Sequence, residues 1–161
     1  MDPLAKLFGS AARIKLLKLF LFNEEESFTG KDDALRSKVS KDAARREIQM
    51  LVNLRILKKK AGKGGPYYTA DQRFKYYDSL RTFLRTSTGV SDTSIGNTLK
   101  KAGTLRLVAL SGLFTGVPET KIDLLIVGDR IDERSMNAAI HALEADLGRE
   151  LRFASFSTEE F

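Results

Sequence analysis

The chain has 161 residues, 42% of them hydrophobic, with 27 Lys/Arg against 21 Asp/Glu and a net charge of +6, enough for one compact domain or two small ones. It has no cysteine and a single histidine, His141, which excludes disulfides, thiolate or histidine-rich metal sites and a Cys–His catalytic pair within one chain. No apolar run reaches the ~18 residues of a membrane span, and the opening M-D-P-L-A-K-L-F lacks a signal-peptide pattern, so a cytoplasmic protein with no membrane partner is expected.

Pro3 to Phe8 reads as a short helix, and Ser10 as the cap of a dense one over Ala11–Phe22. Ile14, Leu17 and Leu21 form one stripe of that helix, with Leu16 and Phe20 beside it. Two apolar stripes imply burial on more than one side, and a partner subunit is one way to supply it. N-E-E-E-S then reads as a solvated turn. Thr29–Lys38 is a weaker helix with Ala34, Leu35 and Val39 inward, and its short connection through Ser40 has the spacing of a helix-turn-helix.

The helix Lys41–Leu54 has Ser40 as its N-cap and Asp42 on the favourable end of the helix dipole. Ala44, Ile48, Leu51 and the stem of Arg55 form its inward stripe, while Arg46, Gln49 and Asn53, flanked by Lys41 and Arg45, point away. Arg can fork onto guanine and Gln or Asn onto adenine, so this face suits a major-groove reader; a plain solvated face is the alternative. Ile56–Lys60 and Pro66–Thr69 then read as two strands around G-K-G-G. Three helices followed by a basic hairpin is the order of a winged helix, with Lys58, Lys59, Lys60 and Lys63 on the wing beside the phosphate backbone. Lysines that merely protect an edge strand are the competing reading. The residues assigned to DNA are Ser40, Lys41, Arg45, Arg46, Gln49, Asn53, Lys58, Lys59, Lys60 and Lys63.

Asp71–Arg85 is a further amphipathic helix, with Phe74, Tyr77, Leu80 and Leu84 on one face. T-S-T-G-V-S-D-T-S follows and is the best boundary, because the charge reverses across it. Residues 1–85 hold 19 Lys/Arg against 10 Asp/Glu, whereas residues 86–161 hold 8 against 11, so only the first half suits a polyanion. Beyond it lie a short helix Ile95–Ala102, a strand Thr104–Leu110, a buried strand Ile122–Val127, a helix Asp132–Leu147 and a last strand Glu150–Phe156. On the Asp132–Leu147 helix, Met136, Ile140, Leu143 and Leu147 face inward, and His141 is a surface histidine on the opposite side.

L-S-G-L-F-T-G followed by T-K-I-D-L-L-I-V-G-D resembles the core of the minimal nucleotidyltransferase domain. That family places a Gly-Ser turn after its first strand, an Asp-x-Asp pair on the next and a third carboxylate on a later strand. L-R-T-F-L-R-T-S-T-G is similar to the connector of prokaryotic proteins that fuse a winged helix to this domain, so the resemblance covers nearly the whole chain. The metal positions depart from the pattern. Lys121 stands at the first Asp position, Asp123 at the second and Arg152 at the third, and the turn reads Ser111-Gly112 in reversed order. Cations in place of two ligands repel the Mg²⁺ that nucleotidyl transfer needs. Lys121 and Arg152 are expected either to pair with Asp123 or, with Ser111, Gly112 and Thr115, to hold an effector phosphate or nucleotide.

The expected fold is α+β, an N-terminal winged helix-turn-helix followed by a small α/β nucleotidyltransferase-like domain. The domains expected are a DNA-binding part over 1–85, a linker over 86–94 and a degenerate nucleotidyltransferase-like domain over 95–161. The function expected is a double-stranded DNA-binding regulator with no catalytic residue, metal ligand or cofactor. Two copies give a winged helix its specificity, so a homodimer is expected, paired through the first helix, the Asp71–Arg85 helix or the second domain. An active nucleotidyltransferase and an antitoxin-like interaction protein are the alternatives.

Overall fold

The computed structural model describes residues 3–87, 90–115, 117 and 120–161. Met1 and Asp2 of the opening segment, Thr88 and Gly89 of the expected linker, and Gly116 of the expected turn lie outside the described residues. The chain divides into two units, Met1–Gly89 with Ala145–Arg149, and Val90–Glu144 with Glu150–Phe161. Each carries helices and its own three-stranded sheet, so the fold is mixed α+β. Among the described residues no helix is long and apolar enough to cross a membrane.

The first unit runs α1 (Pro3–Leu7), α2 (Ala11–Phe22), β1 (Phe28–Thr29), α3 (Gly30–Arg36), α4 (Lys41–Asn53), β2 (Leu57–Lys60), β3 (Tyr67–Ala70) and α5 (Tyr77–Ser87). Its helices start where hydroxyls take up free N–H groups. Ser10 Oγ accepts from the Arg13 N–H, and Ser40 Oγ from the Ala43 N–H, both at 3.2 Å. Thr29 and Asp32 form a reciprocal capping box on α3. Ile14, Leu16, Leu17, Leu19, Phe20 and Leu21 of α2 are all buried, and α1, α3, α4, α5 and β3 of the same unit pack around them. The all-round burial that suggested a partner subunit is therefore met inside the chain.

Several boundaries differ from expectation because the stop signals are not spelled with glycine. After α4 the Ile56 N–H reaches the Leu51 carbonyl at 3.0 Å and the Arg55 N–H the Val52 carbonyl at 2.9 Å, a Schellman turn that puts Arg55 at φ 60°. Arg55 is thus an exposed cap residue and no part of the inward stripe. The same turn ends α3, with Lys38 at φ 49° and the Val39 N–H on the Ala34 carbonyl at 3.1 Å. Leu35, expected inward, is 73% exposed, and Asp33 is buried in α3 instead. Asp71 holds back the start of α5. Its carboxylate accepts from the Arg73 N–H at 3.0 Å, so residues 71–76 form turns where a helix was expected. β1 shows no periodicity in only two residues, yet it pairs with β3 (Phe28↔Tyr68, Thr29↔Tyr67) and extends the hairpin to a sheet of order β1-β3-β2.

The second unit runs α6 (Asp92–Leu99), a 3₁₀ turn (Lys100–Ala102), β4 (Thr104–Leu110), a second 3₁₀ turn (Gly112–Phe114), β5 (Leu124–Asp129), α7 (Glu133–Leu147) and β6 (Phe153–Phe156). Residues at both ends of the expected linker are helical, since α5 reaches Ser87 and Ser91 caps α6. β4 and β5 are antiparallel, β5 and β6 parallel, in the order β4-β5-β6. Leu124, Ile126, Ile95, Leu99, Met136, Ile140 and Leu143 are buried in it. β6 begins at Phe153 because the N–H groups just before it bond to side chains, although the Arg152 carbonyl already accepts from the Asp123 and Leu124 N–H groups. The Leu151 N–H donates to Glu144 Oε1, and the Arg152 N–H to Asp123 Oδ2.

Candidate nucleic-acid interface

The inward stripe of α4 is Ala44, Ile48 and Leu51, all buried, which turns the polar residues of the helix outward. Lys41, Arg45, Arg46, Gln49 and Asn53 are all turned to solvent, Gln49 and Asn53 on the same arc as Arg46. They divide into two sets. Lys41 and Arg45, one turn apart, lie on the side toward the hairpin, Arg46 and Asn53 occupy the outer arc, and Gln49 stands between the two sets, at the edge of the recess. Gln49 Nε2 donates to Asn53 Oδ1 at 3.1 Å, so the two amides hold each other in place. Ser40 has its hydroxyl committed to the helix cap.

The hairpin does not present its lysines on one face. Strand alternation separates Lys59 from Lys58 and Lys60, and the register sets Lys59 opposite Tyr68. Lys59 and Tyr68 therefore join Gly30, Lys31, Lys41, Arg45, Ile48 and Gln49 around an open recess of about 470 Å³. Four cations line it and no carboxylate does. Lys31 was missed by sequence reasoning. The capping box fixes the first turn of α3, and the pairing of Phe28 with Tyr68 carries that turn to the hairpin, so its signal exists only in the strand register.

Lys58 is drawn the other way, its Nζ 3.3 Å from Asp71 Oδ1. Arg73 Nε also bonds that carboxylate, at 3.2 Å. Burial raises the Asp71 carboxyl, but Arg73 and Lys58 outweigh it and hold the group below the usual carboxylate value. Arg55, Arg73, Lys75, Leu54 and Phe74 surround a second recess at Asp71, of about 530 Å³. Lys60 and Lys63 are exposed, Lys63 near the glycine-rich tip.

In the second unit Arg152, one of the residues expected to hold a phosphate, meets an anion of the chain itself. Asp123 is 2% exposed. Arg152 grips it in a fork, Nε to Oδ2 and Nη2 to Oδ1, both at 2.9 Å, and the N–H groups of Leu113 and Arg152 donate at 2.9 and 3.1 Å. Burial raises the Asp123 carboxyl, yet Arg152 and the two N–H groups together keep it below its ordinary value. Gly112 has φ 50°, and a Cβ there would overlap Asp123 Oδ1 and Thr120 Oγ1, so glycine is required for the turn to close on the carboxylate. Ser111 N–H donates to the Asp123 carbonyl at 2.9 Å, and Thr115 Oγ1 turns back to the Gly112 carbonyl at 3.3 Å. Lys121 is exposed. His141 is exposed, its Nδ1 2.8 Å from Glu144 Oε2. No protein-family model, curated protein or solved structure matches the chain.

Proposed function

We propose that the chain is a double-stranded DNA-binding transcriptional regulator whose first unit is a winged helix-turn-helix. The observation that carries this reading is the acid-free recess of Lys31, Lys41, Arg45 and Lys59 beside an outward arc of Arg46, Gln49 and Asn53. Cations gathered around a recess that no carboxylate lines attract the phosphates that flank a groove, and the arc supplies the forked donors and amides that read base edges. Lys60 and Lys63 reach further along the backbone from the hairpin, while Lys58 serves the Asp71 cluster instead. The order of α3, α4 and the β2–β3 hairpin supports the winged-helix reading.

The second unit is read as a nucleotidyltransferase-like domain without catalysis. Its sheet order, with β4 antiparallel and β6 parallel to the central β5, supports the resemblance. The clamp of Arg152 on Asp123 supports loss of the metal chemistry, since the carboxylate that would face Mg²⁺ already has a guanidinium on both oxygens. Incubation with labelled nucleoside triphosphates and Mg²⁺ is expected to give no transfer; transfer abolished by Asp123→Ala would overturn this half of the reading.

Fluorescence anisotropy of a mixed-sequence duplex tests the DNA half. Binding is expected to weaken steeply with salt, and Lys41→Ala with Arg45→Ala to reduce the log–log slope by about 2, one for each phosphate no longer neutralised. A slope near zero in the unaltered protein would reject DNA binding.

A further inference from the structure

The recess against α4 is walled by separate elements and is no simple basic stripe. Lys31 comes from α3, Lys41 and Arg45 from α4 and Lys59 from β2, so four cations gather around one space of about 470 Å³. Small-ligand sites occupy ~300–1,000 Å³, so this space can take a ligand of its own. Local bonds place each cation. The Thr29–Asp32 capping box fixes the first turn of α3, which carries Lys31. Ser40 caps α4 directly before Lys41, and Arg45 follows one turn later. The pairing of Lys59 with Tyr68 sets the fourth cation beside an aromatic ring.

Acids near these residues in sequence are kept off the lining. Asp32 turns its Oδ2 to the Thr29 hydroxyl at 2.7 Å and to the Thr29 N–H at 3.2 Å. Glu47 Oε2 pairs with Arg13 Nε at 2.8 Å. Neither of them, nor Asp42, lines the recess. The site expected for an effector phosphate in the second unit is the reverse case, because Arg152 there already holds Asp123.

We propose that the α4 recess binds a short linear polyphosphate, the chain of a nucleoside triphosphate or of inorganic triphosphate, and that its occupation releases DNA. One phosphate group carries only about −1.5 to −2 at pH 7, too little to offset four cations. A chain of phosphates brings more charge in one compact group, whereas a duplex spreads its charge along a rod, one per ~1.7 Å of axis. Gln49 and the Tyr68 ring add an amide and an aromatic surface that a base can meet. Lysine and arginine here do what Mg²⁺ does for polyphosphates in carboxylate-bearing sites, so binding needs no divalent ion and Mg²⁺ should weaken it. Release of DNA rests on the DNA-binding reading; the polyphosphate site does not.

Isothermal titration calorimetry of the full chain with inorganic triphosphate, in EDTA at fixed ionic strength, tests the site. One triphosphate per chain is expected, with orthophosphate weaker by about tenfold or more. Lys41→Ala with Arg45→Ala removes half the lining charge and should weaken triphosphate about tenfold with an unchanged circular-dichroism spectrum. Lys60→Ala with Lys63→Ala removes as much charge outside the recess and should change affinity by less than about twofold. Lys121→Ala, at the cation of the second unit expected from sequence to hold a phosphate, should change nothing. Triphosphate no tighter than orthophosphate, an equal loss in the Lys60/Lys63 variant, or a loss in Lys121→Ala would each overturn the proposal. ATP tighter than triphosphate assigns the recess to nucleotides, and ATP no tighter assigns it to inorganic chains. Anisotropy of a mixed-sequence duplex, titrated with triphosphate at constant ionic strength, tests the release, and a duplex that stays bound beside the triphosphate overturns it. Triphosphate binding without duplex binding would reject the DNA reading and keep the site, and the converse result would reject the site alone.

Discussion

Asp33 is fully buried in α3, and neither of its carboxylate oxygens nor the Ser37 hydroxyl one turn later has a hydrogen-bond partner. Burial first, then the neighbouring Asp32 carboxylate, pushes the Asp33 carboxyl up to about 8, with Arg36 acting the other way. The fold therefore keeps a proton that the unfolded chain releases near 3.8. Stability tied to this group is greatest below that unfolded value and is lost as pH rises through about 8. Asp33→Leu removes an unsatisfied buried group of similar size and is expected to stabilise by about 1–3 kcal/mol near pH 8. The gain should shrink toward pH 5; urea midpoints at the two pH values measure it, and an equal gain at both would show that no proton is held. Asp123 has the opposite sign. Its lowered value adds stability above the unfolded value, lost as pH falls through the folded one. Arg152→Ala leaves that carboxylate buried without its counter-charge, so the melting temperature is expected to fall by several degrees at pH 7 and by less at pH 3.

At the scale of elements, what could be read from the sequence was what side-chain period and caps encode. Ser40 capping α4, the stripe Ala44–Ile48–Leu51 and the strand Thr104–Leu110 stand where those signals put them. Lys38 and Arg55 end their helices in the left-handed region without glycine, and β1 is held by pairing alone, so neither leaves a local mark. The hairpin shows the same limit at the candidate site. Four lysines in a short stretch look equivalent in sequence, but alternation sends Lys59 to the α4 recess and Lys58 to Asp71. Lys59→Ala is therefore expected to weaken duplex binding and lower the salt slope by about 1, with Lys58→Ala leaving the slope unchanged. Titrations at three salt concentrations distinguish the two. Equal effects would place both lysines on the phosphates.

At the scale of the whole molecule, charge is segregated along the chain and exposed apolar side chains are not. The excess of Lys/Arg belongs to the first unit, while exposed apolar side chains occur in both, Leu7 and Leu35 in the first and Leu107 and Phe156 in the second. The charge division was visible in composition, because a count needs no fold. The apolar face of the second sheet was not, since Leu107, Leu125 and Phe156 come together only through a mixed register with a parallel pair. The charge division and the expected homodimer make one joint prediction. If each copy neutralises about 4 phosphates, as the four cations of its recess would allow, a dimer on one duplex binds with a log–log salt slope of about −7. A variant that is monomeric by sedimentation and alters no residue of the recess should keep the phosphates of each copy, and its slope should fall to about −4. Affinity on a duplex long enough for two copies should fall as well, with affinity on a one-copy duplex unchanged, because only the linkage between copies has been cut. A slope that stays at its original value in a variant shown to be monomeric would mean that one chain alone meets all the phosphates, and would move part of the DNA surface away from the α4 recess.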